Sequence, residues 1–461
     1  MPTISKVVEN AICVGCGACS VRTDGAIPVR LNRDGYFSAD LSGVDQPTLA
    51  RASQVCPFAH EAADEDAISK AVIEPSPFTD SRIGRYRTIH AGRTASSDYL
   101  QGSSSGGLTS WMAGRLLEAG EVDGVIHVGR GDDGLFCYQL SHSLQALRAQ
   151  RKSAYYSTTL AQVLQQIRGD ERRYALVGVP CFIKAARLLC LEDPVLDRQL
   201  VFFLGLVCGH LKSAAFAELL AWQTGVAPDE LEAVDFRVKA PDRDAGQYDF
   251  GALRKGSTEW LTRPTQSLRG GNWGHGMFQL NACNYCDDIF AETADVAFGD
   301  AWLPQYRQDW RGTNIVVTRH AILQRLLEEG FAKGEIELEE LSADDASNSQ
   351  GGNFRHRREG LAVRLADDIS HGKWVPNKRV LPSVTAVTTQ RLALIRNRRL
   401  ISEASHALYR KARERSSLSY FLDNIEPYVR RYERCSRPAF YKRLYSRLKR
   451  YFSAAGKRVY G

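Results

Sequence analysis

Cys13, Cys16 and Cys19 stand in C-V-G-C-G-A-C, and a remote fourth cysteine, Cys56, precedes a proline. Two residues between thiols let a tight loop aim successive sulfurs at one cubic iron–sulfur cluster. Gly15 and Gly17 allow the positive φ angles that such a loop needs. No second C-x-x-C-x-x-C run exists in the chain, so Cys56 is expected to close the same 4Fe-4S cluster and not a neighbouring one. Structural zinc is the competing reading, but zinc motifs usually pair one C-x-x-C with another.

Cys283 and Cys286 form a second pair, in N-A-C-N-Y-C-D-D. A lone C-x-x-C is ambiguous among zinc, cluster and dithiol roles. Cys181, in G-V-P-C, and Cys208, in V-C-G-H, end apolar runs that read as strands. Ligands of α/β sheets collect at the carboxyl ends of strands, which suits both to join the pair. Taken singly, each reads as well as a small buried hydrophobe. Cys190, in A-R-L-L-C-L, reads as core, and Cys137 and Cys435 carry no assigned role.

Gln101–Thr109 reads Q-G-S-S-S-G-G-L-T and opens a helix. Free N–H groups at such a turn suit phosphate; a plain turn with a serine N-cap fits equally. K-S-A-Y-Y-S at Lys152–Ser157 offers a cation and hydroxyls for a pyrophosphate, or a solvated helix start. Among the histidines, His210 and His275 are better placed for proton transfer than His127 and His142, although an ordinary hydrogen-bonded histidine is the plainer role.

These residues need elements to hold them. Ile27–Asp40 alternates around a D-G turn and is expected to form a hairpin that brings Cys56 back to the loop. Val122–Val128, Tyr174–Val179 and Leu200–Val207 read as buried strands, with helices at Leu108–Ala119 and Thr159–Ile167. That alternation predicts an α/β domain with a largely parallel sheet. The expected fold class is thus α+β and α/β: a small ferredoxin-like module over 1–70, a linker over 71–84, an α/β domain over 85–345, a loop over 346–360, and a basic helical tail over 383–461.

Composition bounds the function. Hydrophobic residues at 44% and charged residues at 25% argue for a globular protein. No apolar run approaches the ~20 residues of a bilayer span, and the start lacks a secretory pattern, so a cytoplasmic location is expected. There thiols stay reduced or bind metal, and an odd count of 11 cysteines fits a disulfide framework poorly. Residues 391–461 carry 19 Lys/Arg against 5 Asp/Glu, so a net charge of +7 hides a body at −7. Basic stretches at Arg396–Arg399 and Lys442–Arg450, the latter among Tyr441, Tyr445 and Tyr451, invite a nucleic-acid reading. Helical spacing of aromatics and leucines favours instead docking on the acidic body or on a membrane surface.

The order of motifs says more than any one of them. The cysteine loop is followed by S-S-S-G-G-L-T, V-D-G-V-I, K-S-A-Y-Y-S, V-G-V-P-C-F, C-G-H and the run from Cys283 to Trp302, A-C-N-Y-C-D-D-I-F-A-E-T-A-D-V-A-F-G-D-A-W. Over roughly residues 10–345 this resembles the family of coenzyme F420 hydrogenase/dehydrogenase beta subunits. The resemblance implies an oxidoreductase with FAD and a 4Fe-4S cluster in the α/β domain, and a further ferredoxin-type cluster before it. It makes Cys181, Cys208, Cys283 and Cys286 the inner ligands. It places Ser104, Ser105, Gly106 and Gly107, with Lys152, Ser153, Tyr155 and Ser157, near FAD. Asp295, Gly299 and Asp300 belong to its last motif without assigned roles.

Members of that family use the deazaflavin coenzyme or other acceptors, and some relatives occur among genes for surface polysaccharide synthesis. The expected partner is an electron donor such as ferredoxin, or a partner subunit; nucleic acid is not expected. The competing hypotheses are an electron-carrying subunit without its own substrate and a zinc-stabilised binding protein.

Overall fold

The computed structural model of the chain describes residues 2–131, 134–385 and 387–436. Apolar, β-branched runs make the strands of one large sheet: β1 Thr88–Thr94, β2 Gly124–Gly129, β3 Cys137–Ser141, β4 Tyr174–Gly178, β5 Leu200–Leu206, β6 Val296–Asp300, β7 Asn314–Thr318 and β8 Ile336–Glu340. Across the sheet they follow the order β8-β1-β7-β6-β5-β4-β2-β3. β2, β4, β5 and β6 run parallel, and antiparallel strands extend both sides. β1 lies two antiparallel steps from β6, so it points the same way as the parallel strands. Five strands therefore end at one edge of the sheet.

Alternation along each strand divides the core. Val125, Ala175, Phe202, Leu204, Val296 and Phe298 face helix α1 (Leu108–Glu118) and the helix Ala321–Ala332. Ile126, Tyr174, Leu176 and Phe203 face helix α2 (Pro180–Glu192) on the other side. A strand buried on both faces reads as a continuous apolar run, which is why β5 was legible as L-V-F-F-L-G-L.

The N-terminal residues fold as short helices, Ile4–Glu9, Ala18–Arg22 and Gln46–Gln54, and the expected hairpin, Val29–Leu31 against Phe37–Ala39. Val7, Val14, Val55 and Phe58 share one core with Leu160, Phe182 and Leu188, so this unit is packed onto the α/β sheet. Residues 71–84, read as a linker, end one helix (Glu65–Val72) and begin the hairpin Phe78–Asp80 with Gly84–Tyr86.

The loop expected at 346–360 is helical. Ala343–Ser349 and Gly351–Phe354 run into a π turn, Arg355–Glu359, and then helix α3, Gly360–Ser370. A capping box between Ser342 and Asp345 starts this run. Its polar, glycine-rich composition is overridden by tertiary contacts, because Arg357 and Arg364 turn inward onto backbone carbonyls.

Helices α4 (Thr389–Glu414) and α5 (Leu418–Ser436) form an antiparallel hairpin on the body. Ile401, Tyr409, Phe421, Ile425 and Val429 pack against Phe216, Phe250 and Phe278. Arg396 pairs with Asp367 at 2.7 Å, Arg399 with Asp368 at 2.7 Å, Arg413 with Asp229 at 2.7 Å, and Arg410 with Asp34. This part of the basic tail docks on the acidic body; Lys442–Arg450 and Tyr441, Tyr445 and Tyr451 lie outside the described residues. No helix among the described residues is long and apolar enough to cross a membrane.

Candidate iron–sulfur and flavin site

Cys13, Cys16, Cys19 and Cys56 line one small cavity under the N-terminal hairpin, walled by Ile4, Val7, Val14, Val29 and Phe58. The loop turns through Gly15 at φ 70° and Gly17 at φ 88°. A Cβ on Gly15 would stand 2.4 Å from the Phe37 carbonyl oxygen, and one on Gly17 would stand 2.6 Å from the Ala161 nitrogen. Both torsion and close packing therefore require glycine here. The N–H groups of Gly15 and Ala39 donate to Cys13 Sγ at 3.4 and 3.5 Å. Burial pushes the Cys56 thiol up to about 12, and Cys16 higher still. Such thiols ionise only when a metal replaces the proton.

The second set assembles at the carboxyl edge of the sheet. Cys181 lies in the first turn of α2 after β4, Cys208 follows β5, Cys283 lies in the turn Asn281–Tyr285 before β6, and Cys286 directly follows that turn. Burial, then the neighbouring Cys286, Cys208 and Cys283, push the Cys181 thiol up. Cys16 and Cys286 share one core cluster, with Cys181 packed against it, so the two sets adjoin. The Tyr138 ring lies beside both Cys181 and Cys16 and stacks on Phe182 at 5.8 Å. Leu211 N–H donates to Cys283 Sγ at 3.2 Å. The Arg357 guanidinium donates to the carbonyls of Cys208 and Gly209, and its Nη2 stands 3.8 Å from Cys208 Sγ.

No group of three or more His, Cys, Asp or Glu side chains among the described residues is set to hold a metal ion. Four thiols in each set, with backbone N–H groups directed at sulfur, suit the donor chemistry of a 4Fe-4S cluster.

A cavity of about 300 Å³ runs along the same edge. Its lining includes Ser103, Ser104, Ser105 and Gly107, Lys152, Ser153 and Tyr155, and Cys208, His210, Lys212 and Trp273, with Tyr155 edge-on to Trp273 at 4.8 Å. Gly107 caps α1 at φ 84°, and the Ser153 N–H donates to Ser104 Oγ at 2.9 Å. Lys152 is ion-paired with Asp235. Ser103 Oγ, His210 Nε2 and Arg237 Nε belong to residues lining the cavity, are shielded from water, and have no hydrogen-bond partner in the protein. Unmatched buried donors call for a polar ligand.

Two members of the expected flavin set stand back from this cavity. Gly106 packs so closely on β1 that a Cβ would meet the Gly92 carbonyl at 2.8 Å. Ser157 Oγ accepts from the Phe37 N–H at 3.0 Å and so ties the N-terminal hairpin to the sheet. His210 lines the cavity, as does His127, whose Nε2 is engaged with Ser141 at 2.8 Å. His275 faces a different groove, and the exposed His142 meets the Asp123 carbonyl at 2.8 Å.

Residues 89–165 match the N-terminal part of the coenzyme F420 hydrogenase/dehydrogenase beta subunit, and residues 171–344 match its C terminus. The chain belongs to the family of coenzyme F420 hydrogenase/dehydrogenase beta subunits. A relative, one of the subunits of the F(420)H(2) dehydrogenase of Methanosarcina mazei, is 24% identical over 342 residues, covering 74% of this chain and 87% of that one. A chain of the F420-reducing [NiFe] hydrogenase complex from Methanosarcina barkeri shares the fold. It matches with a TM-score of 0.50 and 16% identity, over 65% of this chain and 99% of its own.

Within this family's fold, Asp295, Gly299 and Asp300 acquire roles. The Asp295 carboxylate takes Arg187 at 2.6 Å and the Phe203 N–H at 2.7 Å, locking β5 to α2. Asp300 lines the cavity and holds Arg237 at 3.0 Å. Gly299 lets β6 pass Val207, whose Cβ would stand 2.6 Å from an added Cβ. Sequence reasoning missed Lys212, Arg237, Trp273 and Arg357. Arg357 comes from beyond the matched family segments, on the π turn, and π turns inside helices recur at functional sites.

Proposed function

We propose that the chain is an iron–sulfur flavoprotein oxidoreductase, taking electrons from a donor such as ferredoxin or a partner subunit. The observation that carries this reading is spatial. Cys208, of the inner thiol set, lines the same cavity as the Ser103–Gly107 loop, and Cys16, of the outer set, adjoins Cys181. In this reading Cys13, Cys16, Cys19 and Cys56 hold one 4Fe-4S cluster, and Cys181, Cys208, Cys283 and Cys286 hold another. Ser104, Ser105, Gly107, Lys152, Ser153 and Tyr155 hold FAD, with Gly106 and Ser157 shaping the loops behind them. Clusters pass single electrons and flavin takes one or two, so together they interconvert single electrons and a hydride.

The protein's own contribution is placement and exclusion of water. Tyr138 and Phe182 stack on each other in the cavity wall. His210 presents a neutral imidazole, since burial and then Lys212 hold its pKa well below the usual range. A neutral ring can donate a hydrogen bond to a substrate oxygen or nitrogen without leaving a buried charge. The acceptor in this reading is the deazaflavin coenzyme or another hydride acceptor.

Anaerobic purification followed by iron, acid-labile sulfide and flavin analysis tests the reading. About eight irons, eight sulfides and one FAD per chain are expected from two four-iron clusters. About four irons without flavin would remove the reductase mechanism. A second reading, an electron-transfer subunit serving a separate catalytic partner, is favoured by the relatives, one being a dehydrogenase subunit and the other a chain of a hydrogenase complex. Turnover of deazaflavin coenzyme by the isolated chain with an artificial donor separates the two.

A further inference from the structure

The inner thiols sit among positive charges that the protein leaves unmatched. Arg357 is 1% exposed and Arg364 is 3% exposed. Neither forms an ion pair among the described residues. Arg364 donates to the carbonyls of Asn284 and His356, and Arg357 to carbonyls and Cys208 Sγ. Arg398, on α4, is half-buried. Its Nη2 meets His210 Nδ1 and Gln279 Oε1 at 3.3 Å each, while its Nε is shielded and unpartnered.

Neighbouring acids do not cancel this charge, because they have cations of their own. Asp287 pairs with Lys378 at 3.4 Å and Arg379 at 3.4 Å, Glu292 with Arg379 at 2.6 Å, and Glu65 with Lys184 at 3.2 Å. Asp288 accepts the Glu292 N–H at 2.9 Å. The N-terminal thiols have other surroundings. Their cavity is walled by apolar side chains, and the cation beside Cys56, Lys184, is the one matched by Glu65.

An added electron makes a cluster more negative, so adjacent cations favour its reduced form, and more strongly in a low-dielectric interior. Resting on the reading that both sets hold 4Fe-4S clusters, we infer that Arg357, Arg364 and Arg398 make the inner cluster the stronger electron acceptor, so that electrons run from the N-terminal set towards the cavity. In each step the outer cluster is oxidised by one electron and the inner cluster is reduced by one. A low-potential one-electron carrier of the reduced iron–sulfur class refills the outer cluster. Arg398 lies beyond the matched family segments, so the C-terminal hairpin tunes a redox centre as well as covering the core.

The test is an anaerobic redox titration of the full-length protein, followed by electron paramagnetic resonance, with Cys283→Ser assigning the inner signal. The wild-type inner cluster is expected to be reduced first. Arg398→Gln is expected to shift the electron partition between the clusters against the inner one by about tenfold or more, equivalent to about 59 mV for one electron. Arg398→Lys keeps the charge and should keep the wild-type potential. Arg396→Gln, on the exposed side of the same helix, should move neither signal. If Arg398→Gln fails to fold, Arg398→Met keeps the unbranched stem, removes the same charge and carries the same expectation. An inner cluster reduced after the outer one, or equal shifts in Arg398→Gln and Arg398→Lys, would overturn the inference. About four irons per chain, or none, in the wild type would instead overturn the two-cluster reading on which it rests.

Discussion

Arg319 has no exposed surface, and its guanidinium donates to the carbonyls of Ile83, Arg85, Phe290 and Ala294. Arg319→Met keeps an unbranched stem but strands four buried acceptors. At about 1–3 kcal/mol for each unpaired group, a loss of about 4 kcal/mol or more is expected in denaturant unfolding. An unchanged midpoint would mean that water serves these carbonyls. Cys283→Ser is expected to remove about four irons per chain and spare the N-terminal set; unchanged iron would remove Cys283 from the ligands. At this scale the cysteines were legible because their spacing is itself the geometry. Arg319 and Arg357 were not, since an arginine that caps carbonyls from distant segments has no local signature.

The C-terminal hairpin carries a buried histidine that responds to pH. His406, on α4, is engaged with the Gln279 carbonyl and lies edge-on to Tyr36 and Phe278. Burial lowers its pKa from 6.5 to about 4. Between those values the folded chain binds fewer protons than the unfolded chain. Stability is therefore fully present above about pH 6.5 and is lost as pH falls towards 4, by up to about 3 kcal/mol. Thermal unfolding of His406→Gln against wild type should show a shallower acid dependence; parallel curves would place the acid sensitivity elsewhere. Helical spacing made α4 and α5 legible as amphipathic. The π turn was hidden, because G-G-N-F-R-H-R-R-E reads as loop until Arg357 finds its carbonyls.

For the whole molecule, the hairpin and the body are one core. Ile401, Tyr409, Ala412, Phe421, Ile425 and Val429 are all at most 5% exposed. At about 1.5–3 kcal/mol per large apolar side chain, their burial is worth about 10 kcal/mol, as much as a typical domain's entire stability. A chain truncated before Thr389 is expected to aggregate, which soluble yield and light scattering would check. A soluble, cooperatively unfolding product would show that the body folds alone. The strands over Tyr174–Gly178 and Leu200–Leu206 were legible because both faces are apolar. The antiparallel flanks β7 and β8 were not anticipated, since pairing partners far apart in sequence leave no periodic trace.

The sequence by itself determined the chemistry on offer: a C-x-x-C-x-x-C loop with a remote Cys-Pro, a second cysteine pair, a Ser/Gly loop before a helix, and the order of motifs that marks the family. These are local or ordinal properties, set by covalent spacing. Only the tertiary structure decided which distant groups meet. It joined Cys181 and Cys208 to Cys283 and Cys286, placed Cys16 beside Cys181, and folded Arg357 and Arg398 inward upon them. It could do so because five strands pointing one way bring their carboxyl ends to a single edge, a consequence of sheet pairing that no stretch of chain contains alone.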